Sequence, residues 1–408
     1  MTRVIHTGDT HLGYQQYHRH ERREDFLAAF RGVAEDAVTE GVDAVVHAGD
    51  LFHDRRPTLP DIMGALSVLR TLEDANIPFL AIVGNHEAKR DAQWLDLFES
   101  LGLATRLGAE PVRVGNTAFY GLDFVPRSNR ADLAYDFEPR DAEHAALVTH
   151  GLFEPFPHGD WDAREVLAES NVAFDAVLLG DDHTPRIKQV EEPVEAWLTY
   201  PGSTERASAD ERDQRGYNVV VFDDGVDIRR RGLDTREFVF VDVDLGSGEG
   251  VERVRERVGQ HDVTDAVVVV AIDGEGVPVT PATIEEYGDE RGALVTRVTD
   301  HREIADESEI EVSFADPDEA VRERVRELGL SPAARDIDET IRASKVADSN
   351  VADTVEDRVR EFVAEADEGA FASAEDAGDS DDDGQGDEAD GQQAGETDDG
   401  QITMEDYL

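Results

Sequence analysis

Cysteine is absent from the 408 residues, which excludes disulfides and thiolate metal sites and leaves oxygen and imidazole as metal donors. Such donors suit manganese, magnesium, iron or zinc. Lysine is nearly absent as well, with only Lys89, Lys188 and Lys345. No apolar run approaches the roughly 18 residues that a membrane span requires. The chain opens directly on strand-like "RVIHTGD", without a cationic and apolar leader. A cytoplasmic protein, neither membrane-bound nor secreted, is the expectation.

What is abundant is acid. Against 39 lysines and arginines stand 93 aspartates and glutamates, a formal charge of -54. The excess runs along the whole chain, which reads as adaptation to molar salt. A carboxylate-rich surface stays hydrated there, and its self-repulsion is screened because the Debye length falls to roughly 3 Å at 1 M. The length allows two or three domains and a large core.

Residues 1 to about 232 alternate short apolar runs with helical patterns. "RVIH", "AVVH", "FLAIV", "AALVTH" and "AVLLG" read as strands of an α/β domain. A smaller α/β unit is expected over 235–315, from "EFVFVDV", a helical "GVERVRERV", "DAVVVVAI" and "GALVTRV". Asp316-Pro317 then gives a helix start, with a capping side chain and proline at the first helical position. Val321, Val325 and Leu328 fall on one stripe, and Val351, Val355, Val359 and Phe362 on another. Two short amphipathic helices over 317–364, without a core of their own, are expected to pack on the chain itself or on a partner. Residues 365–408 hold 17 acids and no lysine or arginine, and 365–400 is expected to be a disordered acidic linker. It ends in the less polar "QITMEDYL", residues 401–408.

Chemistry gathers at the strand ends, where ligand sites of open α/β sheets lie. Five consecutive strands deliver Asp9 and His11, Asp50 and His53, Asn85 and His86, His150, and Asp181 and His183. One such residue alone is an ordinary cap or core histidine; five strand ends of this kind define a metal site. Gly8, Gly49, Gly84 and Gly180 are expected to let the backbone turn tightly there. Seven candidate ligands exceed what one ion needs once water is included, and a carboxylate-bridged pair uses them naturally. Two cations roughly 3.5–4 Å apart suit in-line phosphoryl displacement, so the expected reaction is phosphoester hydrolysis.

At these residues the sequence resembles the calcineurin-like metallophosphoesterase superfamily, whose motifs run D-x-H, G-D, G-N-H-[DE], H and G-H-x-H. "HTGDTHLGY", "HAGDLFHDRRPT", "GNHE" and "YPGSTER" narrow the resemblance to the meiotic-recombination-eleven nucleases of double-strand-break repair, whose bacterial counterpart is SbcD. The match is strong over 1–232 and looser beyond. It implies a metallophosphoesterase sandwich of two β-sheets flanked by helices, a DNA-capping domain over 235–315, and a nucleoid-associated exonuclease and endonuclease. It further implies two divalent ions, usually manganese, one on Asp9, His11, Asp50 and His183 and the other on Asp50, Asn85, His150 and residue 181. His86 resembles the residue that protonates the leaving oxygen or stabilises charge on it, and His53 the one that orients the phosphate. The family pattern has histidine where this chain has Asp181. Aspartate is a hard anionic ligand, so a working site with one more negative charge is expected. The alternatives are a non-catalytic repair scaffold with an altered site, or a phosphodiesterase acting on something other than nucleic acid.

The same resemblance implies partners. Residues 317–364 lie where the family binds a coiled-coil ABC ATPase related to SbcC, and a homodimer is implied through helices of the phosphoesterase domain. "QITMEDYL" resembles a sliding-clamp-binding box, with Gln401, Met404, Tyr407 and Leu408 at its key positions. Near molar salt, counterion release contributes little to DNA affinity. Local contacts are therefore expected to serve, among them Arg55, Arg56 and Arg127; no basic stripe is visible.

Overall fold

A computed structural model describes residues 1–89, 92–302 and 359–360. Of two compact units, Met1–Ile310 and Glu311–Leu408, the first holds all of these except Val359 and Arg360, which are helical. The segments 303–315, 365–400 and 401–408 lie outside the described residues, as does 317–364 apart from those two. With them go Val321, Val325, Leu328, Val351, Val355, Phe362, Gln401, Met404, Tyr407 and Leu408.

The chain begins with β1 (Thr2–Thr7), α1 (His20–Glu40), β2 (Ala44–His47), α2 (Leu59–Asp74), β3 (Phe79–Ala81), α3 (Trp94–Ser100) and β4 (Thr105–Arg106). Next come β5 (Val112–Val114), β6 (Thr117–Leu122), β7 (His144–His150), a short pair β8 (Phe153–Glu154) and β9 (Trp161–Asp162), and α4 (Ala163–Glu169). They are followed by β10 (Ala176–Gly180), β11 (Arg186–Val190), β12 (Ala196–Tyr200), β13 (Gly216–Phe222) and β14 (Val226–Gly232). One six-stranded sheet runs β14-β13-β1-β2-β3-β4 and the other β11-β12-β10-β7-β6-β5. The strands that matter for the site are parallel within each sheet: β1, β2 and β3 in the first, β7 and β10 in the second.

The period of two along a strand builds three apolar layers. Val4, Val46 and Leu80 face Ala146, Val148 and Leu178 between the sheets. Their neighbours Ile5, Val45 and Phe79 turn the other way, onto Phe30, Val33, Val68 and Leu72 of α1 and α2. On the far side, Leu147, Val177 and Leu179 pack against Val166 and Leu167 of α4. Local signals set the helix ends. Gly41 closes α1 at φ 58, its N–H returning to Ala37 and Val38. A capping box between Thr58 and Asp61 starts α2.

Contrary to the expectation from sequence, the five site-bearing strands are not consecutive: β4, β5 and β6 intervene between β3 and β7, and β8 and β9 between β7 and β10. Two- and three-residue strands such as β4 and β5 are too short to show a period. The smaller unit adds β15 (Phe238–Leu245), α5 (Val251–Gly259), β16 (Val267–Gly274), α6 (Pro281–Glu290) and β17 (Val295–Asp300) as a parallel three-stranded sheet. Helix α6, not expected from apolar pattern, starts with Pro281 in its first turn. Val239, Val241 and Val243 face Val254, Val258 and Ile284 of the two helices. Phe238 and Phe240 face the opposite way, toward Tyr17. There the guanidinium groups of Arg22 and Arg206 lie 5.0 and 5.1 Å from the Phe238 ring, and that of Arg212 lies 4.9 Å from Phe240.

Candidate metal centre

Each parallel strand releases its donors just past its carboxyl end. Thr7 ends β1 before Asp9 and His11; His47 ends β2 before Asp50. Asn85 and His86 follow β3, His150 is the last residue of β7, and Asp181 and His183 follow β10. Register brings the ends together, pairing Thr7 with His47, His47 with Ala81, and Gly180 with His150. The backbone bends sharply to aim the side chains. Asp9, His11, Asp50 and Asp181 have φ of 49°, 42°, 56° and 97°, a region that residues other than glycine seldom adopt. Four strained residues among seven candidate ligands is the pattern of a site whose geometry is imposed by the surrounding fold.

Glycine is required at three of the four expected positions for close approach. A Cβ on Gly84 would overlap Asp50 Oδ1, and one on Gly180 would overlap the Ala48 carbonyl and crowd His150 Nδ1. Gly49 lies at φ 91° beside the same His150 ring. Gly8 departs from the expectation. A Cβ there would make only ordinary contact with Ala48, 3.5 Å away.

The side chains form two groups that meet at Asp50. In one, Asp9, His11 and His183 present donor atoms within 4.8 Å of one another. His11 Nε2 and His183 Nε2 are 3.1 Å apart. In the other, His150 Nε2 lies 3.1 Å from Asn85 Oδ1 and 3.7 Å from Asp181 Oδ1. Asp50 Oδ2 stands between them, 3.8 Å from His11 Nε2 and 3.6 Å from His150 Nε2, while Asp50 Oδ1 accepts the His86 backbone N–H at 2.9 Å. The Asp181 N–H donates to both oxygens of Asp9 at 3.1 Å.

This donor set fits divalent cations. His150 donates Nδ1–H to the Ala48 carbonyl at 2.8 Å, and His183 donates Nδ1–H to Glu211 at 2.8 Å, so both rings turn Nε2 toward the cluster. Asn85 Nδ2 and His11 Nδ1 are buried without a hydrogen-bond partner. Burial pushes the Asp181 carboxyl up to about 7 and Asp9 up to about 6. Asp50 rises well above the ordinary range through burial and the charges of Asp9, Glu87 and Asp181. Burial drives His150 down to about 3 and His11 well below its usual value. Burial also disfavours charge on His183, but Glu211, Asp9 and Asp181 outweigh it and raise the ring to about 9. Three buried carboxylates facing imidazole lone pairs are stabilised together by positive charge placed among them.

His53 and His86 flank the first group, within 4.8 Å of His11. His86 Nδ1–H donates to the His53 carbonyl at 2.8 Å, and the His53 ring stacks on Tyr14 with centroids 4.0 Å apart. Arg55, Arg56 and Arg127 are all exposed. Two residues that support the site were not singled out from sequence. Glu87, the last residue of "GNHE", is buried and accepts the N–H groups of Leu51, Phe52 and Gly84, pinning the loops that carry Asp50 and Asn85. The motif contained its signal. Glu211 beside His183 had none.

Residues 2–185 match the calcineurin-like phosphoesterase family. With the donor set at the strand ends, this defines the class as a metal-dependent phosphoesterase. A DNA double-strand break repair protein Mre11 from Haloferax volcanii is 63% identical over 383 residues, covering 93% of this chain and 86% of that protein. One from Halobacterium salinarum is 59% identical, covering 87% and 93%. Another from Methanosarcina acetivorans is 44% identical, covering 88% and 61%. The chain belongs to the Mre11 family of DNA double-strand break repair proteins.

Proposed function

We propose that this phosphoesterase is a two-metal DNA nuclease, with both exonuclease and endonuclease action, serving as the catalytic subunit of a break-repair complex. The observation that carries the reading is the placement of Asp50 Oδ2 between His11 and His150, each within 3.8 Å. Asp9, His11, Asp50 and His183 would hold one ion and Asp50, Asn85, His150 and Asp181 the other, with manganese the ion proposed. When bound, the pair supplies Lewis-acid stabilisation of charge on the scissile phosphate. Asp181 serves as the oxygen ligand in place of histidine, its buried carboxylate close to His150.

The protein's own residues do the rest. Burial holds His86 below the usual histidine range, and its Nδ1 is committed to the His53 carbonyl. An approaching phosphate raises its affinity for a proton, so Nε2 takes one up and can pass it to the leaving oxygen. His53, braced on Tyr14, orients the phosphate beside it. Residues 1–232 form the nuclease domain and 235–315 the DNA-capping domain. Residues 317–364 bind a coiled-coil ABC ATPase, and 401–408 bind the sliding clamp. The exposed apolar residues Leu59 and Met63 of α2 and Leu97 of α3 support a homodimer through these helices. The complex acts in the cytoplasm, on the nucleoid.

Cleavage of labelled single- and double-stranded DNA with manganese in about 2 M KCl, where the Debye length is only a few ångströms, tests this. The wild type cuts, while His86→Ser binds both ions but does not cut, and Asp181→Asn loses both cutting and bound metal. Wild type that cuts nothing, alone or with its ATPase, and binds fewer than two ions would return the protein to a scaffold.

A further inference from the structure

We infer that Glu211, on the loop between β12 and β13, is the positioning residue that makes His183 a metal ligand; this rests on the two-metal reading above. Its Oε1 accepts His183 Nδ1–H at 2.8 Å. Its Oε2 is surrounded by donors: Arg215 Nη1 at 2.8 Å, Ser203 Oγ at 3.0 Å and the Ala207 N–H at 3.2 Å. Arg215 is buried, and the same Nη1 reaches the His183 carbonyl at 3.0 Å. The Glu211 carbonyl in turn accepts Arg206 Nε at 2.9 Å. Three donors fix one oxygen, so the other has a single orientation, and that orientation holds the proton on Nδ1 of His183. Nε2 is left with its lone pair aimed at His11 and Asp9.

The two ion sites differ in this respect. His150 is oriented by a backbone carbonyl, that of Ala48, whereas His183 depends on a side chain. Loss of Glu211 therefore acts on one ion and spares the other. Outer carboxylates of this kind change metal affinity by about 10–100-fold.

The environment of Oε2 gives the test a signature that a merely structural role lacks. In Glu211→Gln the amide oxygen must face Arg215, Ser203 and Ala207, which turns the NH2 toward His183. Nδ1 then has to accept, the proton moves to Nε2, and the ring is blocked as a ligand. Glu211→Ala leaves the ring free to choose either tautomer. Positioning therefore predicts that the near-isosteric Gln weakens one ion more than Ala does; loop support alone predicts the reverse.

Manganese titration of the full chain in about 2 M KCl, followed by the electron paramagnetic resonance of free ion, reads this. Thermal unfolding of each metal-free variant and 15N spectra of the histidine rings accompany it. Expected are two ions in the wild type, and in Glu211→Gln one of them weakened about 10–100-fold with the His183 tautomer reversed. Glu211→Ala should fall between in affinity. Since Gln and Ala both leave buried Arg215 without its anionic partner, the unfolding midpoint should fall in both variants, and no further in Gln than in Ala. Gln binding both ions as wild type does, or weakening both alike, would overturn the assignment. Fewer than two ions on the wild type would instead overturn the metal-pair reading beneath it.

Discussion

Arg22 offers a test of the charge network buried inside the two-sheet body. Its side chain is fully buried. Nε donates to Gln16 at 3.0 Å, Nη1 to Asp25 at 2.6 Å, and Nη2 to Glu205 at 3.2 Å and to the Arg206 carbonyl at 2.9 Å. The guanidinium also lies 5.5 Å from Phe26. Arg22→Met keeps much of the length and apolar contact but strands what the cation neutralised. Asp25 keeps a partner, since Arg236 grips both of its oxygens. Glu205 keeps only the Arg206 N–H, at 2.7 Å: it is fully buried, its Oε2 has no partner, and burial already raises its pKa. Breaking a buried pair from one side costs about 3–5 kcal/mol. At about 2–4 °C per kcal/mol for a domain of 150–250 residues, the unfolding midpoint should fall by on the order of 10 °C. Arg22→Met with Glu205→Leu removes both charges and should recover more than half of that. Salt separates this pair from surface ones. No solvent reaches it, so the loss should be the same in about 1 M and 3 M KCl, unlike the exposed Arg212–Asp242 pair, worth under about 1 kcal/mol. A midpoint within about 2 °C of wild type, below the shift of a single kcal/mol, would refute the reasoning, as would a double variant less stable than Arg22→Met.

Two further outcomes follow from the site. Gly84→Ala drives a methyl into Asp50, whereas Gly8→Ala meets open van der Waals contact; counting bound manganese should show loss in the first and two ions in the second. Manganese affinity should rise steadily from pH 6 to pH 9, read by titration at each pH. The sign is the same for all three groups: Asp9 at about 6, Asp181 at about 7 and His183 at about 9 hold protons below these values and must release them to ligate. Affinity that falls across this range would contradict the assignment of ligands.

The site was legible because its residues sit where apolar runs stop. "VIHTGDTH" and "VLLGDDH" announce in one dimension both a buried strand and the polar group released at its end. What assembles across the chain was not legible. Glu205 and Arg22 are 183 residues apart and look like two surface charges until the fold buries them on one another. Glu211 sits in "SADERDQR", a polar loop by any local reading, and meets His183 only because β12 returns beside β10. The glycines show the same limit. Gly8 and Gly84 stand in similar Gly-Asp and Gly-Asn steps, and only the approach of Asp50 to the second distinguishes them.

The arginines resolve the conflict between a polyanionic chain and a polyanionic substrate. Many are committed within the fold: Arg106 to Asp96 and Asp123, Arg130 to Asp160 and the Trp161 face, Arg215 to Glu211, and Arg302 to Asp300. They neutralise particular carboxylates, so among the described residues no basic field is left to draw in DNA from a distance. At molar salt such a field would be of no use, because the Debye length of roughly 3 Å is shorter than a single phosphate contact is wide. The large acid excess is screened by the same ions, so it does not repel the substrate either. Recognition then depends on what can touch a phosphate directly. In the proposed nuclease that would be a metal pair at Asp50, His53 and His86 beside it, and exposed guanidiniums such as Arg55, Arg56 and Arg127. For the proposed nuclease, binding and catalysis thus draw on the same few contacts. A change in a metal ligand should therefore weaken the hold on DNA as well as the cutting of it.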